Sequence, residues 1–298
     1  MKLNKIKGDT YFIDAPTSSG IYIFKNKNCL IIDTGINNTS AKRIDAILNA
    51  NNLKPKYIIN THSHLDHCGG NKYFKTTYPG CIVYSSYYEK IYIENPDLFP
   101  TMLFSSSPLK GIEKNSTSTE VDYILEYGIN KIGDEKFEII PLKGHFIEQI
   151  GVITPEKVCF VGDAVFSCEI IEKYSLPFIF NIKESLDTLS MLKNIDADYF
   201  VLGHYNEFLT HNEFLSLVDK NIDNIEKYKK LILELLDQPL TREDLLENIA
   251  ILNGLNMDFR QYHLNLSAVS AFIKYLYDEN IIDYSIEGGK LYYFNRGV

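Results

Sequence analysis

The run NTHSHLDHCGG, from Asn60 to Gly70, holds three of the chain's seven histidines with an aspartate among them. Imidazole nitrogens and a carboxylate packed this densely are the donor set of zinc, or of another borderline divalent ion such as iron or manganese. His62 and His64 are two residues apart, so on an extended segment leaving a strand they point to the same side. Asp66 and His67 follow where the chain must turn, and the Gly69-Gly70 pair permits a tight bend beside a crowded site. Four donors overfill one tetrahedral ion that keeps an open position. The alternation divides them, with His62 and His64 for one ion and Asp66 and His67 for a second. Each ion then needs a further ligand, and a carboxylate is expected to bridge the two.

Three later residues meet that need. His145 in PLKGHFIEQIG, Asp163 in VCFVGDAVF and His204 in YFVLGHYNE each follow a glycine near the end of a predicted strand. Strand ends are where sites collect in open α/β sheets. A lone histidine after a glycine is more often structural, and a lone Gly-Asp means nothing. The ordered set is what argues for metal. His211 and His263 stay outside it and read as surface or core residues.

The elements that must hold these residues are legible in outline. YFIDAPTSSGIYIFKNKNCLIIDTG reads as short antiparallel strands broken by TSSG and KNKN. NTSAKRIDAILNANNL reads as a helix with Asn38, Thr39 and Ser40 as candidate caps, and KPKYIIN as the buried strand that delivers the histidine run. From Asp33 to Ser86 strands and helices alternate, which argues for an α/β layered core with some parallel pairing. The stretch from Ile93 to Glu120 carries prolines, serines and isolated large apolar side chains. It reads as a long loop, a candidate lid over a cleft. Strands return in EKFEIIPLKG, IGVITPEKVCFVGD and DADYFVLG, with helices over IKESLDTLSMLKNI and NEFLSLVDKNIDNIEKYKKLILELLDQ. Beyond Pro239, helices at TREDLLENIAIL and LSAVSAFIKYLYDEN precede two strands about a Gly-Gly turn, a winged-helix-like order.

Composition narrows the partners. The 298 residues carry a formal net charge of −9, with no basic stripe for a phosphate backbone. The five cysteines form no CxxC pair and are odd in number, which argues against a disulfide framework. The N-terminus shows no signal peptide, and no run approaches the roughly 18 apolar residues of a membrane span. The expectation is a soluble cytoplasmic protein.

The series Asp33, His62-x-His64-x-Asp66-His67, His145, Asp163 and His204 resembles the metallo-β-lactamase superfamily of hydrolases, in its glyoxalase II-like or lactamase-β-2-like branch. The resemblance runs from about residue 5 to about 210. It implies an αββα four-layer sandwich over residues 1–210, a connecting helix over 211–238 and the winged-helix-like module over 239–298. It also implies His62, His64 and His145 on a first metal, Asp66, His67 and His204 on a second, Asp163 between them, and Asp33 as a support that orients the ligands by hydrogen bonds. Many members have a small hydroxyl residue where this chain has Phe146, which bears on substrate shape. Several zinc β-lactamases have cysteine at the position of Asp163, so antibiotic hydrolysis is not expected. His64 stands where the di-iron oxygen-reducing branch has glutamate.

Two divalent ions, zinc first with iron or manganese as alternatives, would share a water of lowered pKa as a bridging hydroxide nucleophile. Asp66 is the candidate to orient it. A small-molecule thioester, lactone or related ester is the expected substrate. The alternative is a phosphodiesterase or endoribonuclease, since an RNA-cleaving branch also carries a winged-helix-like domain. From Asn221 onward, however, acidic residues outnumber basic ones, and AVSAFIKYLYDEN carries a single lysine, Lys274. A nucleic-acid reader needs a positive surface. That helix suits packing on the catalytic domain, or on a second subunit in a homodimer. A non-catalytic metal-binding protein would predict a broken ligand set, and this set is whole. Ser105, Ser106, Ser107, Tyr174 and Tyr205 read as ordinary loop residues rather than substrate contacts.

Overall fold

The computed structural model describes residues 1–107 and 117–297. A first sheet follows chain order: β1 (Leu3–Lys7), β2 (Thr10–Ile13), β3 (Ser19–Ile23), β4 (Asn28–Ile32), β5 (Lys54–Ile59), β6 (Ile82–Ser85) and β7 (Tyr123–Ile124). Its first four strands are antiparallel neighbours, as their short turns dictate, and β4 to β7 are parallel. Parallel pairing needs crossovers. These are supplied by α1 (Asn38–Ala50), then α2 (Leu65–Cys68) with α3 (Asn71–Thr77), then α4 (Tyr87–Glu94) with α5 (Leu98–Phe104). The cap of α1 lies one residue before the expected set: the Asn37 side chain accepts from the Thr39 and Ser40 amides.

The second sheet has the order β13-β12-β11-β10-β9-β8. Its strands are β8 (Gly128–Ile132), β9 (Glu135–Pro141), β10 (Ile150–Ile153), β11 (Val158–Gly162), β12 (Tyr199–Leu202) and β13 (Leu209–Thr210). Between β11 and β12 run α6 (Cys168–Tyr174) and α7 (Ile182–Leu192). After β13 come α8 (His211–Leu235), α9 (Arg242–Asn253), α10 (Phe259–Asp278) and the hairpin β14 (Ile282–Glu287) with β15 (Lys290–Asn295).

Alternation along the strands builds the layers. In β4, Leu30 and Ile32 turn inward to meet Phe137, Ile139, Val152 and Phe160 of the second sheet. Cys29 and Ile31 turn outward against Ala41, Ile44 and Leu48 of α1. Across the sandwich, Phe160 points in while Cys159 and Val161 point out toward α7 and α8. The layers are helix, sheet, sheet, helix. Leu245, Leu246 and Ile249 of α9 and Val269, Phe272 and Leu276 of α10 belong to the same buried cluster as the outer face of the second sheet.

Two expectations need correction. The segment after Ile93 is not an irregular loop where it is described, because Leu98–Phe104 forms α5. There Phe99 and Leu103 are buried against Phe146 and Leu264, an apolar cluster that periodicity over so short a run does not announce. Residues 108–116 of the candidate lid lie outside the described residues. The last long helix begins not near Leu266 but at Phe259, capped by Asp258, whose side chain accepts from the Gln261 amide. That additional N-terminal stretch reaches the site.

Candidate metal centre

His62 leaves the end of β5 and His64 caps α2, whose single turn carries Asp66 and His67. The turn sits hard against the loop after β4. A Cβ at Gly69 would come within 2.1 Å of the Ile36 carbonyl oxygen, so glycine there is obligatory. His145 lies in the loop between β9 and β10, Asp163 just past β11, and His204 two residues past β12. At Gly203 a Cβ would lie 2.1 Å from Asp163 Oδ1. The glycine before His204 therefore makes room for the neighbouring carboxylate.

All seven residues converge. His64 Nδ1 lies 3.0 Å from His62 Nε2 and 3.0 Å from His145 Nε2. Asp163 Oδ1 is 3.4 Å from His67 Nε2, while its Oδ2 is 3.7 Å from His145 Nε2 and 3.3 Å from His204 Nε2. Asp66 Oδ2 is 3.1 Å from His204 Nε2 and 3.7 Å from His67 Nε2. Three overlapping donor groups result: His62, His64 and His145; His62, His67 and Asp163; and Asp66, His67 and His204, each within 4.8 Å.

The outward nitrogens show which atoms are left for an ion. His145 Nδ1 donates to the Phe178 carbonyl (3.0 Å), His204 Nδ1 to the Pro16 carbonyl (2.8 Å) and His67 Nδ1 to Asp33 Oδ2 (2.8 Å). The Thr61 hydroxyl gives its proton to Asp33 Oδ2 (2.7 Å), so it accepts from His62 Nδ1 (3.1 Å). Four rings are thus oriented with Nε2 toward the centre, the arrangement that metal-binding histidines need. Among the described residues the buried Nε2 of His67 makes no hydrogen bond, its nearest carboxylate oxygen being Asp163 Oδ1 at 3.4 Å. The 3.0 Å separations of His64 Nδ1 from His62 Nε2 and His145 Nε2 are close to the roughly 3.3 Å that a tetrahedral ion about 2.0–2.1 Å from each nitrogen sets. The residues fit a divalent ion.

Electrostatics divides the cluster. Burial, followed by the neighbouring imidazoles, pushes His62 and His64 well below the usual histidine range, and burial lowers His145. Burial also opposes charge on His67, yet Asp163, Asp33 and Asp66 together push it up to about 10. The charge on Asp163 raises His204 to about 12. For the carboxylates burial favours the neutral form, but His67 and His204 override it and hold Asp66 and Asp163 well below the usual range. Asp33 accepts three donors, from the Thr61 amide (2.8 Å), the Thr61 hydroxyl and His67. Its φ of 62° is the left-handed conformation that a short polar side chain tolerates.

The centre opens on a cavity of about 830 Å³. Phe99, Phe166 and Phe178 make an apolar wall, while Arg43, Lys173 and Arg260 bring positive charge and Glu169 and Glu207 negative charge. Tyr174 and Tyr205 line it too, whereas Ser105–Ser107 are not part of its lining. Phe146 does not face the cavity. It is buried behind the His64 ring, 4.7 Å between centroids, and packs on Tyr92 and Phe99. Of the two histidines outside the set, His211 donates from Nδ1 to the Ala197 carbonyl (3.0 Å), and His263 lies among Phe104, Phe259 and Tyr262.

A model of the metallo-beta-lactamase superfamily matches residues 14–204. The chain belongs to that superfamily. It is a metallo-hydrolase of this kind. Among similar proteins, a hydroxyacylglutathione hydrolase of Buchnera aphidicola is 27% identical over 209 residues, 69% of this chain and 69% of that one. Hydroxyacylglutathione hydrolase 1 of Vibrio vulnificus is 27% identical over 257 residues, 80% and 86% of the two chains. In fold, a metallo-beta-lactamase family protein of Thermus thermophilus superposes with a TM-score of 0.76 at 19% identity, covering 97% of this chain and 99% of that one. A beta-lactamase domain protein of Burkholderia ambifaria gives 0.70 at 13% identity, covering 98% and 93%. Among the described residues no helix is long and apolar enough to cross a membrane.

Sequence reasoning missed Glu89 on α4. It is buried, and its carboxylate accepts from Ser63, between two of the site histidines, and from the Glu148 amide. Burial pushes it up to about 7 against the pull of those donors. The one available signal was Ser86-Tyr-Tyr-Glu89, the spacing of a helix capping box.

Proposed function

We propose that the chain is a dinuclear hydrolase of small acyl thioesters. His62, His64 and His145 hold one divalent ion, zinc first, and Asp66, His67 and His204 hold the other, with Asp163 between them. The observation that supports this reading is the position of Asp163, whose carboxylate reaches both sets. Its Oδ2 is 3.7 Å from His145 Nε2 of the first and 3.3 Å from His204 Nε2 of the second, and its Oδ1 is 3.4 Å from His67 Nε2 of the second. When bound, the ions supply Lewis acidity and an activated water at neutral pH.

The chain's own residues do the rest. Asp66 accepts from His204 and from the Thr17 hydroxyl (3.3 Å) through Oδ2, while Oδ1 makes no hydrogen bond among the described residues. That oxygen is suited to orient a nucleophilic water. Phe99, Phe166 and Phe178 would receive an apolar acyl group and exclude bulk water, and Lys173 and Arg260 would meet an anionic thiol portion. The relatives named hydroxyacylglutathione hydrolase support a thioester of that type.

The phosphodiesterase alternative gains little. The helix expected to read nucleic acid, α10, buries Ala268, Val269, Phe272 and Leu276, and its Lys274 pairs with Asp278 at 2.7 Å. Its first turn instead gives Arg260, Gln261 and Leu264 to the cavity wall. We read the winged-helix-like module of residues 239–298 as a cover for the cleft of the 1–210 domain, reached through the 211–238 helix.

The test is metal content of protein purified without added metal, paired with a screen of S-acyl thioesters and lactones against a bis-nitrophenyl phosphodiester and a short RNA. About two metals per chain, with thioester turnover abolished in His62→Ala, is the expected result. Metal-dependent cleavage of the phosphodiester or RNA alone would overturn the substrate assignment.

A further inference from the structure

Glu89 lies in the first turn of α4 with its side chain fully enclosed. Its two oxygens serve different loops. Oε2 accepts from the Ser63 amide (2.8 Å) and the Ser63 hydroxyl (2.6 Å), and Oε1 accepts from the Glu148 amide (2.9 Å). Ser63 stands between His62 and His64, and Glu148 follows His145 by three residues. The same helical turn adds two more ties to the second loop: the Ser86 hydroxyl donates to the Glu148 carbonyl (2.7 Å), and the Tyr88 amide donates to Glu148 Oε2 (2.8 Å).

The helix gives up its own capping to make these bonds. Ser86 and Glu89 have the spacing of a reciprocal capping box, yet Ser86 makes no side-chain cap bond, and both side chains reach across to the loops. A buried carboxylate is costly unless donors satisfy it, and an apolar residue would fill the same space more cheaply. Packing alone therefore does not account for a glutamate here. Its particular property is to accept from two directions at once.

We propose that Glu89 is a positioning residue for the three-histidine half of the centre, fixing the spacing of the 62–64 loop against the 145–148 loop. The proposal rests on the assignment of His62, His64 and His145 as metal ligands. It distinguishes the halves, because neither oxygen of Glu89 touches the 66–67 turn, Asp163 or His204.

The experiment is a cobalt(II) titration of metal-free protein, following the visible absorption bands and using chelator competition to obtain an affinity for each site. Glu89→Gln keeps the size of the side chain but sets an amide N–H group against one of the donors. It is expected to weaken the three-histidine site by about 10–100-fold and to leave the other site unchanged. Ser63→Ala removes only the hydroxyl bond, giving a smaller loss at the same site, and serves where Glu89→Gln does not fold. Wild-type affinity at both sites in the folded variants, or equal weakening of both, would overturn the proposal. A wild-type chain that takes up no cobalt would instead overturn the ligand assignment itself, before any variant is compared.

Discussion

The two halves of the centre draw on one short stretch of chain and meet opposite fates. His62 is enclosed by the His64, His67 and His145 rings and His64 packs on Phe99, Phe146 and Phe178, and burial keeps both uncharged. His67, a few residues on, is just as buried but touches Asp33 and faces Asp163 and Asp66, which hold a proton on it. His204 shares that fate. The lesson is that ligand type does not set the readiness of a site. On the proposed assignment the three-histidine half stands proton-free, while the other would exchange protons for its ion.

In the proposed arrangement Asp163 joins the halves, so its removal should have the largest effect. Asp163→Asn is expected to drop metal content below about two per chain and to lower thioester turnover by at least about 10²-fold, measured by metal analysis and steady-state kinetics. Full turnover with one metal would show that the halves do not depend on each other.

A middle-sized effect is expected in the metal-free protein. His67 and His204 are raised above 6.5, to about 10 and about 12, so the stability they contribute is complete below pH 6.5 and is lost as pH rises through those values. Asp66 and Asp163 belong to the same ion pairs, and their depressed values place the opposite loss below about pH 3.8. Burial keeps His62, His64 and His145 uncharged in the fold, while they protonate in the unfolded chain below about pH 6.5. Metal-free protein should therefore melt highest near pH 6.5, with a lower Tm toward pH 4 and a fall of roughly 5 °C or more on going to pH 10. Differential scanning calorimetry from about pH 4 to 10 checks it, and a Tm that keeps rising above pH 6.5 would reverse the assignment of charge to His67 and His204.

The smallest effect concerns the cleft rather than the centre. Lys173 lines it beside the Tyr174 ring, 4.7 Å away, and is open to solvent screening. Lys173→Ala should raise KM for an anionic thioester by about 2–5-fold with little change in kcat, and should leave a neutral thioester unaffected.

Legibility in the sequence followed the same divide. The donors His62 to His204 were readable because chemistry-bearing residues stood close together or at strand ends, and the alternating strands fixed which sheet edge carried them. Glu89 was not readable, since its partners Ser63 and Glu148 are 26 and 59 positions away. Phe99 and the N-terminal part of α10 escaped for a related reason: Phe99, Phe146 and Leu264 of α10 share one apolar cluster that only the folded chain brings together. Phe146 drew attention as a departure at the substrate side, and proved to be packing behind His64.

The most direct measurement is calorimetric titration of zinc into metal-free protein at pH 7.5, in buffers of different ionisation enthalpy, so that protons released per ion are counted. Two binding events are predicted, one releasing about two more protons than the other, those held on His67 and His204 in the metal-free protein, over and above the proton lost by a metal-bound water. A single event, or two events with equal proton release, would contradict a centre built from two unlike halves.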